Sequence, residues 1–210
     1  MRLVATVPAT VANVGPGFDA FGLALDLCNV VVLDTDGTGV TWEGEGAAEL
    51  PTDGSDHVSR AVRAIAGDAA STFSIHGRSA IPLERGLGSS AAATVAGVLP
   101  GAALVDRAED RGFVLEAAAA IEGHPDNAAA AVHGGFTIVA GGTVVRLEVD
   151  PGIRPVVLIP EGERTGTRAA RAALPPTVPL ADAAFVAARA ALVPLALTED
   201  PALLAIALED

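Results

Sequence analysis

Residues 82–92 read Pro82-Leu83-Glu84-Arg85-Gly86-Leu87-Gly88-Ser89-Ser90-Ala91-Ala92, and the stretch from Ser89 to Val105 is almost wholly small and apolar. A β-rich segment, Thr72 to His76, precedes it. The succession predicts a strand, a glycine-bearing loop over Pro82 to Gly88, and a helix opening at Ser89 with a break near Pro100. The glycines let the backbone pass close to a ligand with no Cβ in the way. Ser89 is placed to cap the helix. A helix start offers free N–H groups and the positive end of the helix dipole, which suit a phosphate. Ser90 adds a hydroxyl for Mg²⁺, an ion that prefers oxygen. Read alone, the stretch fits equally a capped helix after a flexible loop, because an isolated glycine motif is a weak signal.

Working outward, strands are predicted at Leu3 to Val7, Leu25 to Asp34 and Val40 to Glu43, with Pro8 to Gly22 a loop. Asp56 to Ala66 has helical spacing at Val58, Val62 and Ile65. Further helices are expected over Arg111 to Ile121 and Ala128 to Val132, interrupted at Gly123 to Asn127. Phe136 to Ala140 and Thr143 to Val149 flank Gly141-Gly142, a hairpin signal. Asp150-Pro151-Gly152 is the domain-boundary candidate. Beyond it come a strand (Pro155 to Ile159) and helices near Thr167 to Ala173, over Leu180 to Leu197 and over Pro201 to Leu208. Strands and helices mixed in this order give an α/β or α+β protein.

Composition narrows the chemistry. The 210 residues are 50% apolar, enough to build a core without disulfide or metal, and Cys28 is the single cysteine. All 13 basic residues are arginines. The absence of lysine removes a Walker A lysine, a protein-kinase strand lysine and any Schiff base. The absence of tyrosine removes a phenol acid or base. A net charge of −13 disfavours nucleic acid and an anionic membrane surface as partners. Charges break the alanine-rich runs before they reach the roughly 20 apolar residues of a membrane span, and no targeting segment is visible, so a cytoplasmic location is expected.

Three further clusters could carry chemistry. Glu122-Gly123-His124-Pro125-Asp126-Asn127 gathers two carboxylates, an imidazole and an amide at a helix break. Glu122 could share Mg²⁺ with Ser90, Asp126 could accept a proton, and Asn127 or His124 could orient a hydroxyl. An Asx-type turn between two helices accounts for the same residues. In Pro8-Ala-Thr-Val-Ala-Asn-Val-Gly-Pro-Gly-Phe-Asp19, the amide of Asn13 and the carboxylate of Asp19 suit a ligand amine, or simply cap a loop. Finally, Thr165, Thr167, Arg168 and Arg171 lie close in sequence, and Thr167 and Arg171 share one helix face. An arginine fork there could hold a carboxylate, and a solvated helix face is the plain alternative.

Taken together and in order, these segments resemble the GHMP kinases, most closely the homoserine kinases among them. Val7 to Asp19 resembles their N-terminal signature, Ile81 to Ala92 the ATP loop, Glu122 to Asn127 followed by Gly134-Gly135 the next block, and Thr167 and Arg171 before Leu174-Pro175 their threonine–arginine helix. The resemblance implies MgATP-dependent phosphorylation of the L-homoserine hydroxyl to O-phospho-L-homoserine, in threonine biosynthesis. It implies that Pro82, Leu83, Glu84, Arg85, Gly86, Leu87, Gly88, Ser89, Ser90, Ala91 and Ala92 wrap the phosphates and that Ser90 and Glu122 hold Mg²⁺. Asn13, Asp19, His124, Thr167 and Arg171 would surround homoserine, Asp19 at its ammonium and Arg171 at its carboxylate. Asp126 occupies the place of an aspartate base in mevalonate kinase, whose partner lysine has no counterpart here. A base-free transfer with Asn127 orienting the hydroxyl is therefore favoured. Alternatives are a kinase of free threonine or of a mevalonate-type alcohol, and an inactive remnant or a regulatory binding protein with a kinase-like fold.

The implied fold is α+β. A domain like the second domain of ribosomal protein S5, with a left-handed βαβ crossover, would span 1–151, and a ferredoxin-like domain would begin at 152. Relatives carry a third glycine-rich block, near Ser-Gly-Ala-Gly-Pro, and a further substrate arginine; residues 152–210 contain neither, so the second domain is expected to be incomplete. Relatives are often homodimers. Two positions depart from the pattern: Glu84 stands where a glycine is common, and His57 where an asparagine often lies near the adenine.

Overall fold

A computed structural model describes residues 1–159 and 167–209, with the side chains of residues 167–169 excepted. The chain is α+β. Strands β1 (Arg2–Ala12) and β2 (Phe21–Asp34) pair antiparallel over almost their whole lengths. On the other edge of β2, its C-terminal residues pair with β4 (Ser74–Ser79) and its first three with β5 (Phe136–Ala140). Strand β3 (Gly39–Gly44) lies parallel to β4, and β6 (Thr143–Leu147) closes the β5 hairpin across Gly141 and Gly142. Both glycines take the positive φ that this tight turn requires.

Strand β1 runs five residues further than its sequence suggests. Pro8 lies where the register shifts between Pro8 and Thr10, so its missing N–H is no defect in the ladder. Val11 and Ala12 then pair with Leu23 and Gly22, and the expected loop shrinks to residues 13–20.

Four helices cover the sheet. Helix α1 (His57–Ala66) is capped by buried Asp56, whose carboxylate accepts from the backbone N–H and the hydroxyl of Ser59 at 2.9 and 2.6 Å. Helix α2 (Ser89–Leu104) is buried nearly all round and runs unbroken through Pro100. Its glycines let α1 approach: a Cβ on Gly97 would sit 2.4 Å from the Val58 carbonyl oxygen and 2.7 Å from the Ala61 Cβ. Gly97→Ala is therefore expected to destabilise the fold by about 2 kcal/mol, overpacking outweighing alanine's better helix propensity. A urea unfolding midpoint at or above that of the wild type would refute this close approach. Helix α3 (Arg111–Glu122) ends on Gly123 in the left-handed conformation, as the sequence predicts, and α4 (Asp126–His133) restarts three residues later, two residues before the expected Ala128.

The apolar core between helices and sheet includes Leu33, Ile75, Val62, Val95 and Val98. A second core cluster joins Phe21 and Phe136, in edge-to-face contact, to Val193, Ala196 and Leu197 of α6 (Leu180–Thr198) and Ala207 of α7 (Leu204–Ala207). Contrary to the expectation that charges interrupt every apolar run, helix α6 is long and apolar enough to cross a membrane by length and composition, with a mean hydropathy of 1.7. Its face of Val193, Ala196 and Leu197 packs in this second core instead. Residues Pro201–Leu203 form a 3₁₀ turn before α7, dividing the one helix expected there.

The strand predicted over Pro155 to Ile159 is not formed. Val156 and Leu158 remain 87% and 94% exposed. High β propensity does not make a strand when no neighbouring strand completes the ladder. Helix α5 (Thr167–Ala172) forms where expected. Thr165 and the side chains of Thr167 and Arg168 lie outside the described residues.

Candidate active site

A cleft of about 460 Å³ opens where the β1–β2 loop, the 80–88 loop with the start of α2, the α3–α4 break and α5 converge. Asn13, Glu84, Arg85, Gly86, Gly88, Ser89, Ser90, Ala91, Glu122, His124, Asp126, Asn127 and Arg171 line it. Four residues of the predicted ATP loop do not. Ala92 is buried in the core. Leu87 is buried too, and its carbonyl accepts from the Thr10 N–H at 3.0 Å, anchoring the loop to β1. Leu83 lines a separate cavity, and Pro82 lies outside the cleft wall.

Ser89 is not the helix cap. Gly88 holds that place with φ +65°, and among the described residues no side chain caps the first amides of α2. A polar cap would occupy those donors; a glycine cap leaves them to an external anion. Gly86 and Glu84 also have positive φ, +72° and +55°. The second is a conformation that favours glycine, since a side chain there costs roughly 1 kcal/mol.

Ser90 and Glu122, expected to share Mg²⁺, are hydrogen-bonded to each other. The Ser90 hydroxyl donates to Glu122 Oε1 at 3.1 Å, and Thr94 Oγ1 donates to the same oxygen at 2.5 Å. Thr94 is fully buried and was missed in the sequence, although it follows Ser90 by four residues on one helix face. A hydroxyl and a carboxylate side by side on the cleft wall are oxygen donors of the kind that Mg²⁺ takes. Among the described residues no group of three or more His, Cys, Asp or Glu side chains could hold a metal unaided. The fit is thus to an ion shared with phosphate oxygens, the usual mode for Mg²⁺.

Asp126 is only 2% exposed and sits at the first position of α4. Its Oδ1 accepts from the Asn127 N–H at 2.7 Å and lies 3.2 Å from His124 Nδ1. Asn127 Oδ1 accepts from the hydroxyl of Thr10 at 2.8 Å, a second partner that the sequence did not reveal.

Asp19 does not itself line the cleft, but Arg171, which does, donates two hydrogen bonds to its carboxylate, one at 2.9 Å. This bidentate pair spans 152 residues of chain. The Arg171 hydrogen bond holds the Asp19 carboxyl below the usual carboxylate range, and Asp19 raises Arg171 in turn. Asn13 Oδ1 accepts from the Asp19 N–H at 3.0 Å, and Asn13, Val14 and Asp19 all have positive φ. For β-branched Val14 that conformation is strained, and such strain gathers at ligand-binding loops. Thus Asp19 and Arg171, each expected to meet one charge of homoserine, meet each other here.

A smaller, mainly apolar cavity of about 50 Å³ adjoins the loop, lined by Trp42, Pro51, His57, Val58, Leu83 and Ser89 among others. The two cavities share Ser89.

Residues 56–135, the helices and loops that build most of the cleft, match the family model "GHMP kinases N terminal domain". The chain is 42% identical to a homoserine kinase of Rhodococcus erythropolis, the match covering all of this chain and 73% of that enzyme. The chain belongs to the homoserine kinase family. The homoserine kinase of Mycobacterium tuberculosis is likewise 42% identical, over 98% of this chain and 70% of its own length. The crystal structure of homoserine kinase from Cytophaga hutchinsonii superposes over the whole chain with a TM-score of 0.78 at 28% identity, covering 71% of that structure. Membership of the homoserine kinase family bears out the expected α+β GHMP kinase fold.

Proposed function

We propose that this chain transfers the γ-phosphoryl group of ATP to the side-chain hydroxyl of L-homoserine, giving O-phospho-L-homoserine. The observation that carries the reading is the Asp19–Arg171 pair beside a helix start that no side chain caps. A zwitterionic amino acid can exchange into that pair with no net change of charge, its ammonium replacing the guanidinium at Asp19 and its carboxylate replacing Asp19 at Arg171. A mevalonate-type alcohol has no cation to offer Asp19.

The nucleotide site falls within residues 1–151. Triphosphate oxygens accept from the amides opening α2, with Arg85 on the same wall. The apolar cavity beyond Ser89 takes the base, beside Trp42 and His57. Ser90 and Glu122 hold Mg²⁺, which supplies charge neutralisation for the phosphates where lysine is absent. Residues 152–210 contribute Arg171, and Thr167 on the same helix is assigned to substrate.

Asn13, Asp19 and Arg171 fix the backbone end of homoserine, His124 lies beside its path, and Asn127 orients the hydroxyl. Asp126 is engaged with His124 and the Asn127 amide. It serves to hold this turn, and the hydroxyl proton passes to a phosphate oxygen. Positioning and charge neutralisation suffice for such a transfer.

Coupled ADP release with L-homoserine, L-threonine and mevalonate in turn tests the reading, with homoserine expected to be much the best acceptor. Phosphorylation of mevalonate without homoserine would reassign the substrate. A folded protein that neither binds nor turns over MgATP would make it a remnant.

A further inference from the structure

Thr10 is fully buried on β1, directly after the register shift at Pro8. Its N–H leaves the ladder to donate to Leu87 O at 3.0 Å. Its hydroxyl donates to Asn127 Oδ1 at 2.8 Å, across 117 residues of sequence. The fit is tight: a Cβ on Gly88 would lie 2.0 Å from the Thr10 hydroxyl and 3.0 Å from Asn127 Oδ1. One threonine thus joins the phosphate loop, the cap of α2 and the amide at the head of α4.

A bulge that turns one side chain out of a ladder is a common way to aim it at a site. The target here is an amide with two unlike edges. Its oxygen is engaged by Thr10, while among the described residues no group is bonded to its Nδ2. Asn127 itself lines the cleft.

We propose that Thr10 is a positioning residue for phosphoryl transfer, fixing the Asn127 amide with its Nδ2 edge toward the acceptor hydroxyl. The inference rests on the kinase reading above and deepens it. With Oδ1 turned inward, Asn127 donates to a lone pair of the hydroxyl oxygen and leaves the O–H free to point at phosphate. That oxygen forms its bond to the γ-phosphorus. The bond from the γ-phosphorus to the β–γ bridging oxygen breaks, its electron pair leaving on ADP, and the hydroxyl proton goes to a phosphoryl oxygen. Were the amide reversed, Oδ1 would accept that proton's hydrogen bond and hold it away from the phosphate.

Thr10→Val keeps the shape and removes the donor; Thr10→Ser keeps the donor. In T10V, kcat is expected to fall about 10²-fold, the scale of a misplaced reacting group. KM for ATP should stay within about twofold, and T10S should restore most of kcat. The side-chain NH₂ resonances of Asn127, followed by ¹H–¹⁵N NMR, should shift in T10V and keep wild-type positions in T10S. An unchanged kcat in T10V, or a T10S variant as impaired as T10V, would overturn the proposal. So would Asn127 resonances indifferent to T10V, a result that stands apart from turnover. A wild-type protein without homoserine-dependent ADP release would instead count against the kinase reading, while the resonances still decide whether Thr10 orients Asn127.

Discussion

Glu122→Gln is expected to lower kcat/KM for phosphoryl transfer about 10³-fold, or about 4 kcal/mol of transition-state stabilisation. The substitution is nearly isosteric, and Gln Oε1 still accepts from Ser90 and Thr94, so the α3–α4 turn should survive. What disappears is the negative charge that pairs with a divalent cation. With no lysine in the chain, the divalent cation proposed at Ser90 and Glu122 would be the principal means of neutralising a triphosphate. The deficit should appear as a raised Mg²⁺ requirement and as weaker Mn²⁺ binding to the protein–ATP complex, read by electron paramagnetic resonance. Glu122→Ala adds a stability cost, because it strands the buried Thr94 hydroxyl without its acceptor. Activity near wild type with unaltered Mg²⁺ dependence in E122Q would remove Glu122 from the metal site.

Arg171→Met should raise KM for homoserine about 10²-fold, or roughly 2.8 kcal/mol at 1.4 kcal/mol per decade, and leave KM for ATP within about twofold. Loss of a bidentate guanidinium–carboxylate contact justifies that size. The same variant has a signature independent of turnover. In the wild type, the Arg171 hydrogen bond lowers the Asp19 carboxyl, so the pair persists at neutral pH. It is lost as pH falls through that lowered value, below the ordinary carboxylate range. In R171M the Asp19 titration, followed by ¹³C NMR, should move up toward ordinary values. An unmoved Asp19 would show that the Asp19–Arg171 pair does not form, and an unchanged KM for homoserine would show that this arginine does not face the substrate.

Legibility in the sequence followed the range of the interactions. The strand–loop–helix at residues 74–104, the helix break at Gly123 and the Gly141-Gly142 hairpin rest on local chemistry, and they form where they were expected. Errors arose where a local rule met a tertiary demand. Pro8 reads as a strand terminator, yet β2 carries β1 past it by a register shift. Ser89 has the better side chain for a cap, yet Gly88 takes the place, because close packing against Thr10 leaves no room for a Cβ there. Val156 to Ile159 has the composition of a strand, and among the described residues no neighbour pairs with it. Thr94 was within reach of helical periodicity; Thr10 gave no signal, because its meaning depends on an amide far away in sequence.

The sequence by itself determined the chemical repertoire: arginine without lysine, a glycine loop before a small-residue helix, and carboxylates and amides at two turns. Backbone permissiveness and side-chain functionality are properties of residues and their near neighbours, so they can be read in order along the chain. The tertiary structure alone decided which groups meet. Asp19 and Arg171, 152 residues apart, and Thr10 and Asn127, 117 apart, come together because the burial of apolar surface brings the parts of one cleft onto one sheet. The hydrogen bonds then formed set which edge of each side chain is left for a ligand.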